Sequence, residues 1–243
     1  MSILLIPVAP LSRTKSRLRD CFSSDKLIKL TLAMFKDLGN ILSEVKCYDE
    51  IIVYCNTDEI LELANNYNLI GIKEKITAPP KSFDKVIEDL NNIAINKYNA
   101  TQTIFSFLDL ILITVKNFYD INNLLTKNQM VICPAIHSAG ISILGRNPPD
   151  IINSYFSDPH IPSLIAQFNN ALAKGIDKIA IYDSFRAGFD IDLKQDLVLA
   201  YEYLKIFNLT HTNVFKFLKK NLRLSLKKKN QFNNRTFELT ERE

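Results

Sequence analysis

The sequence predicts one α/β domain built on a largely parallel sheet. Three observations carry this. Short apolar runs of strand length alternate with longer stretches of helical periodicity from the first residues to about Lys205. Several of those runs are continuously apolar, as strands covered on both faces are. The chain has 243 residues, 47% of them hydrophobic and 23% charged, which suits one large domain with a real core plus a short extension.

The strand candidates, in order, are Ile3–Val8, Glu50–Asn56, Thr103–Asp109, Met130–Pro134, Ile141–Leu144, Lys178–Tyr182 and Phe189–Asp192. Helix candidates fill the gaps. Ser24 caps a long one to about Val45, with Leu27, Leu30, Met34, Phe35 and Leu38 on one face. Thr57 or Asp58 starts a second to about Asn66, Ser82 a third to about Asn96, and Thr114 a fourth to about Leu125. Pro162-Ser163 starts a fifth to about Lys174, and Gly175 stands where a C-cap glycine belongs. Alternation at this spacing implies helices on both faces of the sheet, with ligands beyond the carboxyl ends of the strands.

Bulk properties exclude several classes. No apolar stretch reaches the roughly 18 residues of a membrane span; the longest, Ile104 to Val115, carries Asp109. The apolar start lacks a basic flank and a small-residue cleavage site, so a cytoplasmic protein is expected. Cys21, Cys47, Cys55 and Cys133 show no CxxC pairing, and read as buried thiols. His137, His160 and His211 are scattered, with neither a GxSxG elbow nor an HExxH spacing, which argues against a hydrolase or a zinc enzyme. The net charge of +4 is uneven: residues 203–237 hold nine Lys/Arg and no acid.

Two places concentrate polar chemistry. The turn after the first strand reads Ala9-Pro10-Leu11-Ser12-Arg13-Thr14-Lys15-Ser16-Arg17-Leu18-Arg19. Its four cations form a positive mouth suited to polyphosphate, unless they are simply a solvated basic loop. Neither GxxxxGK(S/T) nor GxGxxG is present. The second is a set of carboxylates. Asp109 sits in strongly apolar sequence, which is costly unless it is paired, caps a helix, lies at a strand end or binds metal. On a strand, Asp190 and Asp192 would share one face. With Asp109 on a neighbouring strand end, they could hold Mg²⁺.

The same segments resemble the 2-phospho-L-lactate guanylyltransferase family, which makes the precursor of the deazaflavin coenzyme F-420. The opening is similar to its IPxKPLxxAKSRL signature, Phe107 to Thr114 to LPxDLPLLT, and Gly188 to Leu197 to LDIDTPEDL. Ser23 to Leu38 resembles the first helix, and the match runs over about residues 3–205. The resemblance implies a three-layer, Rossmann-like GT-A nucleotidyltransferase fold over residues 1–205; residues 206–243 fall outside it and read as a basic helical extension and tail. It implies transfer of GMP from GTP to the phosphate of 2-phospho-L-lactate or a relative such as phosphoenolpyruvate, with pyrophosphate leaving. Lys15, Arg17 and Asp109 would be catalytic. Pro10, Leu11, Lys15, Arg17, Ser82 and Asp84 would bind nucleotide, Gly140, Ser142 and Ser163 the acceptor, and Asp109, Asp190 and Asp192 magnesium.

Departures from the family pattern are local. Ala9 replaces a lysine, Ser82-Phe83-Asp84 a GLN, Gly140-Ile141-Ser142 a GTN, and Gln167 the histidine of SFxxH. They leave a second reading, a non-catalytic binding or assembly protein on the same fold. The expected partners are GTP and a small phosphorylated acid, with a homodimer left open and no membrane. Nucleic-acid binding through the basic tail is the lesser reading of residues 206–229, which read as a helix with Phe215, Leu218, Leu222 and Leu226 on one stripe.

Overall fold

Strand-length apolar runs do form a sheet. The computed structural model describes residues 1–228 and 235–241. In chain order the first half holds β1 (Ser2–Pro7), α1 (Ser24–Glu44), β2 (Glu50–Cys55), α2 (Asp58–Asn66), β3 (Ile70–Lys73), α3 (Phe83–Tyr98), β4 (Gln102–Ser106) and α4 (Val115–Leu125). The second half holds β5 (Met130–Pro134), β6 (Ile141–Arg146), α5 (Ser163–Ala173), β7 (Ile179–Ile181), α6 (Phe185–Gly188), α7 (Lys194–Ile206) and α8 (Asn213–Asn221). A hairpin of β8 (Leu222–Lys228) and β9 (Arg235–Glu241) follows.

The seven-stranded sheet has the order β3-β2-β1-β4-β6-β5-β7. Only β6 runs against its neighbours; β1 pairs in parallel with β2 and β4, β2 with β3, and β5 with β7. Period-two alternation sends successive residues to opposite faces. Thus Leu4, Ile6, Val53, Ile104 and Val131 pack under α1, α2 and α4, whereas Ile3, Leu5, Ile52, Phe105 and Ile132 pack under α3 and α5. Both faces are covered, as the continuous apolar runs require.

Local capping chemistry sets where the helices begin. Ser82 accepts a hydrogen bond from Lys85 N, and Thr114 forms a capping box with Asn117. Gly175 takes φ = 74° directly after α5, a left-handed position that glycine occupies without penalty.

Two expected elements are corrected. Phe189–Asp192 is not a strand but a short extended link between α6 and α7. The cap at Ser184 and the capping carboxylate of Asp196 begin a helix on either side of it, and Asp196 takes the N–H groups of Asp192 and Leu193 that a strand would pair. The helix expected over 206–229 is confined to Asn213–Asn221. From Leu222 the sequence alternates apolar and polar residues, and the chain pairs antiparallel, Leu222 with Glu241 through Lys228 with Arg235. Val214, Phe215, Leu218 and Leu222 are buried with α1 and α7 in one core cluster.

Helix α8 is fixed to the body by one carboxylate. Asp37 on α1 accepts from Asn213 N, Asn213 Nδ2 and Val214 N, each at 2.8 Å, at the helix end where backbone dipoles favour negative charge. Asp37→Ala is expected to lower unfolding free energy by about 2 kcal/mol, in the range of hydrogen bonds to charged groups. Urea denaturation measures it; a loss below about 0.5 kcal/mol, the scale of an ordinary surface substitution, would show that the apolar contacts of α8 suffice alone.

Candidate active site

Strands β1, β2, β3, β4 and β5 all end at one edge of the sheet. After Pro7, Val8 N still donates to Tyr54 O at 2.9 Å, and the chain then turns through Leu11–Arg13. Two anchors bracket Lys15. On one side the buried Thr14 hydroxyl bonds that of Thr31 on α1 at 2.7 Å. On the other side the Leu18 side chain is fully buried. Lys15 itself is left-handed, φ = 46° and ψ = 40°, which costs roughly 1–2 kcal/mol for a side-chain-bearing residue. That conformation turns its ammonium inward.

Lys15 Nζ lies 2.5 Å from Asp109 Oδ2, 3.0 Å from Asp192 Oδ1 and 2.5 Å from the carbonyl of Ile191. Burial by itself would lower its pKa, but Asp109 and Asp192 outweigh that and raise it above the ordinary lysine value. Arg17, whose side chain is 68% exposed, reaches Asp192 Oδ2 at 3.0 Å. Asp190 stands beside this group. Burial first, then the charges of Asp109 and Asp192, push its carboxyl up to about 7. Three carboxylates thus meet two cations, and Asp190 is the one driven toward its protonated form.

The 190–192 segment is held from behind. Asp196 at the start of α7 is almost fully buried and accepts from Asp192 N at 2.9 Å and Leu193 N at 2.6 Å. Its other oxygen lies 2.8 Å from His137 Nδ1, on the segment leading to Ser138 and Gly140. One carboxylate therefore holds the acidic link by its backbone and stands against the opposite wall.

Lys15, Arg17, Asp109, Asp190 and Asp192 line a cleft of about 850 Å³, together with Gly140, Ser142 and Ser163. Ser163, on the cleft lining, opens α5; Leu164 N there already donates to Ala139 O at 3.2 Å, which leaves the other first-turn amides without an intrahelical partner. At Gly140 an added Cβ would lie 2.9 Å from Ser138 Oγ, so a side chain would crowd this wall. The Ser142 hydroxyl is already committed, donating to Cys133 O at 3.0 Å. Phe83, Phe107 and Phe156 form a mutually edge-packed trio, centroids 5.4–5.7 Å apart, along one side.

Other expected residues lie elsewhere. Pro10 lines a smaller adjoining cavity, and Leu11 lines neither space. Ser82 caps α3. Asp84 is turned to the protein: its oxygens accept from Phe156 N at 2.7 Å and Ser157 N at 2.9 Å. Gln167 behaves alike, accepting from Tyr155 N and donating to Asn153 O, both at 3.1 Å. Both side chains fasten the 153–157 segment that walls the cleft. Phe83 and Phe156 are the bulky side chains the sequence places at the cleft, and they line it without filling it; Glu74 and Phe107 carry no such signal, since nothing local marks a single acid or apolar side chain as facing a cavity.

Among the described residues, no three His, Cys, Asp or Glu side chains are grouped to hold a metal ion. The three-carboxylate magnesium set is thus not preassembled, because Lys15 occupies the space between Asp109 and Asp192. The donors still fit magnesium in another form. That ion commonly takes one or two carboxylates plus substrate phosphates, and its double charge would offset the burial and neighbouring carboxylates that hold Asp190 toward its protonated form.

The fastening of the 153–157 segment is testable. Asp84→Ala is expected to cost about 2 kcal/mol, the worth of a hydrogen bond to a charged group, and to speed amide exchange at Phe156 and Ser157. Unchanged exchange at those two amides would show that the segment is held by the phenylalanine contacts instead.

Comparison with known proteins identifies the family and the fold. A family model described as "Guanylyl transferase CofC like" matches residues 1–238, thereby including most of the terminal hairpin. Similar relatives include the 2-phospho-L-lactate guanylyltransferase of Methanocaldococcus vulcanius, 27% identical over 196 residues, 80% of this chain and 82% of the relative. That of Methanocaldococcus jannaschii is 26% identical over 195 residues, 80% of each chain. Among solved structures, a candidate nucleotide-diphospho-sugar transferase from Desulfovibrio desulfuricans superposes with a TM-score of 0.71 at 14% identity, covering 90% of this chain and 94% of that one. A cytidylyltransferase from Leptospira borgpetersenii gives 0.56 at 15%, covering 90% and 91%. These structures show the fold, a three-layer nucleotidyltransferase fold on a mostly parallel sheet. The chain belongs to the CofC-like guanylyl transferase family.

Proposed function

We propose that the protein transfers GMP from GTP to the phosphate of a phosphorylated three-carbon acid, 2-phospho-L-lactate or phosphoenolpyruvate. The observation that carries this is a single cleft, about 850 Å³, with two unlike walls. One wall offers Lys15 and Arg17 against Asp109, Asp190 and Asp192; the other offers Gly140, Ser163 and the start of α5. That volume is ample for two phosphorylated ligands side by side.

In the reaction an oxygen of the acceptor phosphate attacks the α-phosphorus of GTP, the α–β bridge bond breaks, and pyrophosphate leaves. The nucleophile is already ionised, so no side chain need remove a proton. Rate comes from positioning and from charge neutralisation. Lys15, immobilised by three oxygen atoms, is a fixed positive charge beside the reacting phosphates. Arg17 is exposed enough to swing from Asp192 to the leaving pyrophosphate. The α5 N–H groups and Ser163 hold the acceptor anion, as helix starts do. Magnesium arriving with the triphosphate would neutralise phosphate oxygens, and Asp190, the carboxylate not engaged by Lys15, is the one placed to hold it.

A non-catalytic binding role would call for a cleft closed by Phe83, Ile141 and Phe156. These side chains line its walls instead and leave it open.

Pyrophosphate release, measured for each nucleoside triphosphate against a panel of phosphorylated acids, is expected to peak with GTP and a three-carbon acid. Release should stop in EDTA and return with added Mg²⁺; persistence in EDTA would remove the metal from the proposal. No release with any pair would reject transfer altogether. Arg17→Ala is expected to weaken GTP binding about tenfold, the low end for a hydrogen bond to a charged group, given its exposure. Ser163→Ala should raise KM for the acid about threefold to tenfold and leave that for GTP unchanged. An equal rise in both constants would place Ser163 outside the acceptor pocket.

A further inference from the structure

Beside the cleft lies a second cavity of about 160 Å³, which shares Pro7, Val8, Ala9 and Phe83 with it. It is too small for a triphosphate and suited to one flat heterocycle. Its chemistry is also unlike that of the cleft. Phe83, 40% exposed, and Ile76, 78% exposed, present apolar surface into it. The Phe83 ring is steadied from behind by Phe107 and Phe156. Exposed apolar side chains facing a cavity offer stacking surface for a base, which is sequence-tolerant because every base has a π-face.

The polar groups supply the selectivity that stacking lacks. Glu74, directly after β3, is the one carboxylate on this cavity's lining. Its backbone N–H is fixed to Cys55 O at 2.8 Å. Burial, offset in part by Lys81 and Arg13, raises its pKa. We infer that Glu74 is the residue that reads the nucleotide's base, selecting guanine through its N1–H and N2 amino group; this rests on the nucleotide-binding part of the reading above.

The argument is one of donor pattern. Guanine presents two adjacent donors, N1–H and N2–H, matched by the two oxygens of a carboxylate. Adenine and cytosine present a ring nitrogen lone pair beside one amino donor, so a carboxylate faces one attraction and one repulsion. Uracil offers a single N–H between two carbonyl oxygens. Arg13, exposed on the same lining, supplies a donor for the guanine O6 on the far side of that edge.

Equilibrium dialysis of GTP, ITP and ATP against the full-length protein and its Glu74→Gln variant tests this. Wild type should bind ITP, which lacks the N2 amino group, about tenfold more weakly than GTP, the cost of leaving one charged acceptor unmatched. In E74Q the GTP advantage over ITP should fall to within about twofold, and ATP should gain, because an amide pairs with the N1 and N6 edge of adenine. Phe83→Ala should weaken all three purines alike and preserve the GTP to ITP ratio, and matching melting temperatures would confirm that both variants fold. An E74Q protein that keeps the wild-type ratio overturns the assignment, as does a wild type that binds none of the three. GTP-selective binding with no pyrophosphate release against any acid would instead reject transfer and leave Glu74 as the base reader.

Discussion

The site depends on where one ammonium group is put. Lys15 Nζ is bound by Asp109 from the turn after β4, which ends at Ser106 and not at Asp109 as expected, by Asp192 from the link before α7, and by the Ile191 carbonyl. Three chain segments far apart in sequence converge on that atom. With only about a tenth of its side chain exposed, the lysine is the counter-charge that Asp109 meets among Leu108, Leu110 and Ile111. Breaking such a pair costs on the order of 3–5 kcal/mol when fully buried, and less here because Asp192 is 40% exposed. The left-handed backbone at Lys15 persists because Thr14 and Leu18 on either side are tied into the core.

Much of the scaffold could be read from residue order. Met130–Pro134 and Asp58–Asn66 form where apolar periodicity and caps put them, and Ser82, Thr114 and Gly175 mark helix ends by their own chemistry. The errors have physical causes. Strand β3, Ile70–Lys73, is an edge strand that is only half buried, so its apolar signal is short. Phe189–Asp192 has strand composition, but the capping carboxylate of Asp196 takes up the N–H groups of Asp192 and Leu193 and starts α7 directly after it.

The site was legible to a different degree. Lys15, Arg17 and the three aspartates were found because charge in or beside apolar sequence demands an explanation, and they do share one cleft. What residue order could not supply was which partner each would take. Asp84 looked like a ligand group and is a backbone fastener; Ser142 looked like a hydroxyl donor and spends its proton on Cys133 O. The aspartates looked like a metal cage, yet a lysine thirteen residues from β1's first residue stands among them.

The cleft stands over two separate cores, and this divides the labour of change. Thr14, Leu18 and the α7 start that hold Lys15 and Asp192 are rooted in the packing of α1, α7 and α8. The facing segment is rooted on the other side of the sheet, where Arg146 donates to Ile152 O, Gln167 grips Asn153 and Tyr155, and Asp84 grips Phe156 and Ser157. Substitutions in α3 or α5 can therefore reshape one wall while leaving the charged wall in register. A lineage built this way is free to change which small molecule it accepts by accumulating replacements far from the reacting atoms, with the charge arrangement inherited intact.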